Sequence, residues 1–348
     1  MSELILGIET SCDETAAAVV EDGQIVRSNV VHSQTDLHAR WRGVVPEVAS
    51  RSHTERILPI VDQALSEAGV GPGDLAAVAV TQRPGMIGCL LVGLAAAKAL
   101  SFRFGLPIVG VDHVQAHVHT GFLAEPDMPL PALALVASGG HTAIWLVRGR
   151  GDTERLGTTR DDAAGEALDK GANLLGLPYP GGPAIERTAA GGDPRAFDLP
   201  RTLLERDSLD FSFSGLKTAL LYTLRPQSGA PMPTPTGDVL RDLACSYQEA
   251  AVDVLIAKLR RAAERHPVRA LCIGGGVARN ARLRERLQQD AVLSQLHLVL
   301  PAMSLCSDNG AMVAALGSHL FQSGEIAPLE LDAVATPQAG GKARRPRR

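Results

Sequence analysis

Short apolar runs bounded by glycine and small polar residues punctuate this chain at 4–8, 16–20 and 24–30, then at 75–81 and 107–111. Runs of that length, rich in Val, Ile and Leu, read as strands. Two longer stretches, 46–68 and 87–104, carry the wider spacing of helices, and Pro46 suits a first helical position. The same series then repeats. Strand-like runs at 132–136, 143–147 and 153–156 form a second three-strand meander, followed by runs at 269–273 and 296–301 with a helix from about 278 to 289 between them. In each half, the turn after the fourth run and the helix start after the fifth occupy matching places. The pattern predicts an internal duplication of one α/β unit. The first domain would cover 1–130 with a helical insertion at about 40–69. The second would cover 131–330 with an insertion at about 190–240, and a basic, disordered tail would follow at 331–348.

Composition narrows the function classes. A chain of 348 residues is long for one core and comfortable for two. Aromatic residues make up only 3%, so an RNA binder built on many stacked rings is poorly served. The formal net charge of −4 means that any nucleic acid must meet a local positive patch or a partner's field. Five cysteines without a CxxC pair point to a reducing compartment. The N-terminus lacks the basic and apolar blocks of a signal peptide, and the segment 87–100 is short for a bilayer and carries Lys98. A cytoplasmic protein without membrane contact is expected.

The candidate chemistry centres on His113 and His117. Four residues apart at a predicted helix start, their imidazoles would share one face. Asp308 arrives from the matching place in the second half. Two histidines and a carboxylate, opening a cleft between the halves, suit one divalent metal with open positions, iron(II) or zinc. The HExxH protease pattern is absent, because position 114 is Val and not the general-base Glu.

Other segments admit both a functional and a plain reading. Ser138-Gly139-Gly140-His141-Thr142 can present backbone N–H groups to an oxyanion, or be an ordinary glycine turn. Gly274-Gly275-Gly276 between strand and helix can seat a flat adenosine, with Asn280 one turn into the helix bonding base or sugar; a close-packed helix start reads the same way. Asp162, Glu166 and Asp169 stack on one helix face, where they need hydroxyls, a cation or a base, unless they simply complement the helix dipole. Asp13 and Glu14 sit in the first hairpin turn, where acids are also common for turn geometry. Arg344, Arg345, Arg347 and Arg348 can touch an RNA backbone or be a solvated tail.

Several segments together resemble the TsaD family. They are Ile8-Glu9-Thr10-Ser11-Cys12-Asp13-Glu14-Thr15, Gly43-Val44-Val45-Pro46-Glu47, the HxxxH pair, Ser138-Gly139-Gly140-His141-Thr142, Asp162 to Lys170, Tyr179-Pro180-Gly181-Gly182-Pro183, Asp210 to Lys217 and Ser307-Asp308-Asn309-Gly310. They run in the family's order over nearly the whole chain. The resemblance implies duplicated RNase H-like domains of the actin/Hsp70/sugar-kinase superfamily (ASKHA). It implies a transferase that moves threonylcarbamoyl from threonylcarbamoyl-AMP to N6 of the adenosine just 3′ of the anticodon, in tRNAs reading codons that begin with A, with AMP released. It further implies a metal, Fe(2+) ahead of Zn(2+), on His113, His117 and Asp308. Donor-binding positions fall on Val136, Ala137, Ser138, Gly139, Gly140, Asp169, Gly182 and Asn280, to which the glycine-turn reading adds Gly275. Asp13 or Glu14 would handle the amine proton, and the implied partners are a TsaB-like paralogue and a TsaE-like ATPase. The chain departs from the family at Gln115, where an acid is usual, at Arg83, where glycine is usual, and at Ala137, where a bulkier apolar residue is usual. A metalloprotease, a small-molecule kinase of the same fold and a non-catalytic scaffold subunit are the rival readings.

Overall fold

The computed structural model describes residues 2–202, 207–225 and 234–335. The basic tail beyond 335, with its four arginines, lies outside the described residues, as does 226–233 of the loop expected at 226–237. In chain order the elements are β1 (Leu4–Glu9), β2 (Glu14–Glu21), β3 (Ile25–Ser33), α1 (Thr35–His38), α2 (Pro46–Ala68), β4 (Ala77–Arg83), α3 (Ile87–Phe104), β5 (Ile108–Asp112) and α4 (His113–Ala124). Then come β6 (Ala132–Ala137), β7 (Thr142–Val147), β8 (Thr153–Thr158), α5 (Ala164–Leu174), α6 (Gly181–Ala189), α7 (Ser214–Leu224) and α8 (Gly237–Arg265). The chain continues with β9 (Ala270–Gly274), α9 (Ala281–Gln289), β10 (His297–Val299), α10 (Met303–Cys306) and α11 (Gly310–Gln322).

The strands form two five-stranded sheets, β3-β2-β1-β4-β5 and β8-β7-β6-β9-β10. In each, an antiparallel meander of three is followed by two parallel strands. The order and pairing are the same in both, as a duplicated RNase H-like chain requires. Packing divides the chain into two units, one of Met1–Gln34, Val44–Ala116 and the chain from Asn309 on, the other of Thr35–Gly43 and His117–Asp308.

In the first unit, β1 and β2 are buried on both faces, which explains their unbroken apolar runs. Helix α2 starts with Pro46 at a position where no N–H is needed and ends on Gly69 in the left-handed region, φ 68°. Its buried Ala49, His53, Ile57, Ile60, Val61 and Ala64 follow helical spacing onto β2 and β3. Helix α11 packs on β1, β2 and β4 at very short range. A methyl on Gly7 would fall on the backbone of Gly310 and Ala314, so only glycine lets helix and strand approach this closely.

Helix α3 runs from Ile87 to Phe104, as its spacing predicts. At 18 residues and mean hydropathy 1.6 it is long and apolar enough to cross a membrane by length and composition. Its Cys89, Leu90, Leu94 and Ala97 are buried, and it packs against β4 and α2 as a core helix does. Ile87, Leu91 and Phe102 remain exposed.

In the second unit, α5, α6, α7 and α8 fill the space between β8 and β9 in sequence. Tyr247 of α8 is fully buried. Its hydroxyl donates to the Ala167 carbonyl at 2.8 Å, and burial pushes its ionisation upward. Lys258 is also fully buried and donates to the Ser208 carbonyl at 2.8 Å.

Candidate metal and substrate site

Helix α4 begins directly at the end of β5. Asp112 closes the strand, and its Oδ1 accepts the N–H groups of Val114 and Gln115 at 3.0 and 3.1 Å, capping the helix. The cap fixes the first turn, so His113 and His117 project from one face. One nitrogen of each and a carboxylate oxygen of Asp308 lie within 4.8 Å of one another. His117 Nε2 is 3.0 Å from Asp308 Oδ1. Asp308 stands just before α11, whose first turn is capped by Asn309 through its side chain to Met312 N–H. Both histidines are buried.

His113 is oriented from behind by a residue that composition and spacing alone did not single out. Its Nδ1 lies 3.0 Å from Glu9 Oε2 and 3.2 Å from Ser11 Oγ. A carboxylate only accepts, so Nδ1 carries the proton and Nε2 keeps its lone pair. Glu9 is fully buried at the end of β1 and also accepts from Thr81 Oγ1 at 2.6 Å and Ser11 N–H at 2.5 Å. A carboxylate behind a ligand histidine is the usual support of a metal centre. The signal for Glu9 was a lone acid closing an otherwise apolar strand. Two nitrogens and a carboxylate oxygen, one imidazole already held in the right tautomer, fit a divalent ion.

The β6–β7 hairpin carries Ser138-Gly139-Gly140. Ser138 N–H donates to the His141 carbonyl at 2.7 Å, closing the turn, and Ser138 Oγ accepts His141 N–H at 3.1 Å. Gly139 and Gly140 are exposed, with nothing within 4 Å of where a Cβ would be. Among the described residues, no protein acceptor takes the N–H of either. The start of α5 docks on this turn, where Gly165 N–H donates to the Ser138 carbonyl at 3.1 Å and Ala164 N–H to Thr142 Oγ1 at 2.8 Å. Val136 and Ala137 are buried strand residues behind it.

The three acids expected to stack on one helix face do not share one fate. Lys170 Nζ bonds Asp162 at 2.7 Å and Glu166 at 2.8 Å, so the cation is the chain's own. Asp169 turns away to accept Gly181 N–H at 2.7 Å, tying α5 to the start of α6, where Gly182 lies in the first turn. The neighbouring Asp161 has a different task. Burial works against its charge, but donors from Ser212, Phe213 and Ser214 hold its carboxyl below the usual range. Asp161 thereby clamps the segment that opens α7.

Gly274-Gly275-Gly276 ends β9 and turns into α9. Gly275 has φ +87°, and a Cβ there would strike the Ala137 carbonyl. Gly276 is open. Asn280 is not one turn into the helix, as expected, but its N-cap. Its Oδ1 accepts Leu283 N–H at 3.0 Å, and its amide donates to Gln248 at 2.9 Å and Glu186 at 3.3 Å. The helix starts later than the apolar pattern suggested because the glycines first form a short 3-10 turn.

Asp13 and Glu14 lie at the β1–β2 turn, where Glu14 opens β2 and accepts from Ser33 Oγ at 3.3 Å. The turn is braced by His53 of α2, whose Nε2 donates to the Cys12 carbonyl at 2.9 Å and whose Nδ1 accepts from Thr15 Oγ1 at 2.8 Å. Burial pushes the His53 imidazolium toward its neutral form.

The chain matches the family model for TsaD, tRNA N6-adenosine threonylcarbamoyltransferase, over residues 25–315. It is 52% identical over 330 residues to the tRNA N6-adenosine threonylcarbamoyltransferase of Anaeromyxobacter dehalogenans strain 2CP-C, covering 94% of this chain and 97% of that one. It is 49% identical to the protein of that name from Halalkalibacterium halodurans, over 95% of this chain and 94% of the relative. Among solved structures, it resembles HypF of T. kodakarensis with a TM-score of 0.62 at 15% identity, over 93% of this chain and 48% of that one. Component A of the Acidaminococcus fermentans (R)-2-hydroxyglutaryl-CoA dehydratase aligns with a TM-score of 0.54 at 13% identity, over 92% and 97%. At such identities these two establish the fold alone.

Proposed function

The chain belongs to the TsaD family of tRNA N6-adenosine threonylcarbamoyltransferases, and on that premise we propose that it transfers threonylcarbamoyl from threonylcarbamoyl-AMP to N6 of the adenosine 3′ of the anticodon in tRNAs reading A-initial codons. The nitrogen lone pair attacks the carbamoyl carbonyl carbon. The bond from that carbon to the AMP phosphate oxygen breaks, AMP leaves, and the amine loses one proton. His113, His117 and Asp308 would hold one divalent ion, iron(II) ahead of zinc. That ion supplies Lewis acidity for a donor carbonyl or phosphate oxygen. The observation carrying this reading is the three-ligand set with Glu9 behind His113.

The remaining residues have roles that follow from their surroundings. The unengaged N–H groups of Gly139 and Gly140 would stabilise the oxyanion formed at the attacked carbonyl. Val136, Ala137 and Ser138 position that turn. Asp169, which joins α5 to the start of α6 through Gly181, would hold the donor ribose, and Gly182 would offer its open first turn to the donor. Gly275 and the open Gly276 would seat the adenine, with Asn280 holding their turn in place. Asp13 is the better candidate than Glu14 for the amine proton, because Glu14 already bonds Ser33.

Partners follow from the same reading. A TsaB-like paralogue would cover the exposed apolar residues Ile87, Leu91 and Phe102 of α3, and a TsaE-like ATPase would complete the set. Five free thiols agree with a cytoplasmic setting. The decisive experiment combines the protein and both partners with synthetic donor and unmodified tRNA, and reads modified nucleoside by mass spectrometry. Product with wild type and none with His113→Ala is expected. Equal product from both would refute the metal assignment, and none from either, with partners active beside a known enzyme, would refute the transferase.

A further inference from the structure

The segment from Thr35 to Gly43 packs within the second unit. It contains α1 and a 3-10 turn, and it presents Arg40, Trp41 and Arg42 in sequence. Trp41 is 41% exposed. On one side its ring meets His38, which is fully buried, with centroids 6.1 Å apart. The Arg40 guanidinium stands 3.7 Å from the ring centroid. Arg42, in the left-handed region at φ 56°, reaches across to Asn173 of α5. Arg42 and Asn173 also line a small hollow with Asp169, Tyr179 and Gly181. The strap therefore ends beside the carboxylate assigned above to the donor ribose.

An exposed indole offers a large flat apolar surface for stacking. Phe102, Phe104 and Tyr222 are also exposed, but they lie on α3 and α7, whereas Trp41 is next in sequence to Arg42, which lines that hollow. Trp41 alone among them carries a guanidinium, that of Arg40, over one ring face and precedes in sequence the arginine that bonds Asn173 of α5. Indole stacks on any nucleobase, and adjacent arginines take the flanking phosphates. No carboxylate lies within the run Arg40-Trp41-Arg42-Gly43 to oppose an RNA strand. The run also supplies the local positive patch that a chain of net charge −4 needs.

We propose that Trp41 is the stacking platform for an unpaired nucleobase next to the acceptor adenosine, with Arg40 and Arg42 on the flanking phosphates. This rests on the transferase reading for the identity of the RNA, but the contact is measurable without turnover. In a Trp145→Phe background Trp41 is the one remaining indole, because the chain has two tryptophans. A single-stranded anticodon-loop oligonucleotide should quench its emission, and a fully paired RNA duplex should not. In the transfer assay, Trp41→Ala should raise KM for tRNA about tenfold, Trp41→Phe should recover most of that, and KM for the donor should stay unchanged.

No quenching by the single strand, or equal quenching by the duplex, overturns the proposal. So does a Trp41→Ala variant whose tRNA KM is unchanged, or whose donor KM rises equally. Product formation by wild type in those same assays would leave the transferase reading standing. Selective quenching with no transfer would sustain the stacking platform and sink the transferase.

Discussion

Glu9 Oε2 and His113 Nδ1 lie 3.0 Å apart, joining the last residue of the first strand to the first residue of the helix that carries both histidines. This bond sets which nitrogen of His113 is available. Glu9→Gln replaces a full acceptor charge by a weaker carbonyl. Metal affinity is expected to fall about 10–100-fold with the fold intact, measured by competition with a chromogenic chelator and by thermal unfolding. Unchanged affinity would show that Glu9 serves the strand end and not the metal.

Metal removal should abolish transfer. Dialysis against a strong chelator is expected to stop product formation, and stoichiometric iron(II) or zinc should restore it. Asp308→Ala should not regain activity on readdition. Full activity in metal-free protein, checked by elemental analysis, would overturn the assignment.

Gly275→Ala tests the turn after β9. The positive φ and the collision with the Ala137 carbonyl both oppose a side chain. A loss of stability of about 1–3 kcal/mol is expected, read by denaturant unfolding. The open Gly276 should accept alanine with little change in stability.

Glu249 holds two helices together. It bonds Arg282 through Nε at 2.7 Å and also meets Arg286, while Asp253 bonds Arg286 at 2.7 Å and Arg201 at 2.8 Å. The network staples α8 to α9 around a cavity of about 330 Å³. Because its arginines are about a quarter exposed, Glu249→Ala should cost about 1–3 kcal/mol, below the value for a fully buried pair. Chemical denaturation of single and double mutants with Arg282→Ala would measure the coupling.

His53 makes acid stability predictable. Burial, only partly offset by the Cys12 carbonyl and by Glu9 and Asp13, lowers its folded pKa below the ordinary 6.5. A depressed value means that the unfolded chain takes the proton first. The contribution of His53 is therefore present above about pH 6.5 and is lost as pH falls through the folded value. Unfolding midpoints measured from pH 7.5 to 5 should decline, and His53→Gln should flatten that decline.

Much of this molecule was legible because strands buried on both faces write themselves as plain apolar runs. The two meanders and the helix 46–68 are where the pattern put them, and the histidine pair and Asp308 converge as their matching places implied. What escaped depends on contacts between distant segments. Nothing local to Lys170 says that it neutralises Asp162 and Glu166 and leaves Asp169 to α6. Asn280 became an N-cap because three glycines delay the helix, and Asp161 grips residues some fifty positions away. The return of α11 to the first sheet shows only in the glycines, Gly7 and Gly310, that admit it.

Arg83 Nε bonds Asp112 Oδ2 at 3.2 Å, on the carboxylate whose other oxygen caps α4. The Arg83 side chain is 55% exposed. The footing of the histidine helix is thus tied to a charge in contact with bulk solvent, where dissolved ions screen it. Ionic strength becomes a handle on this centre from outside.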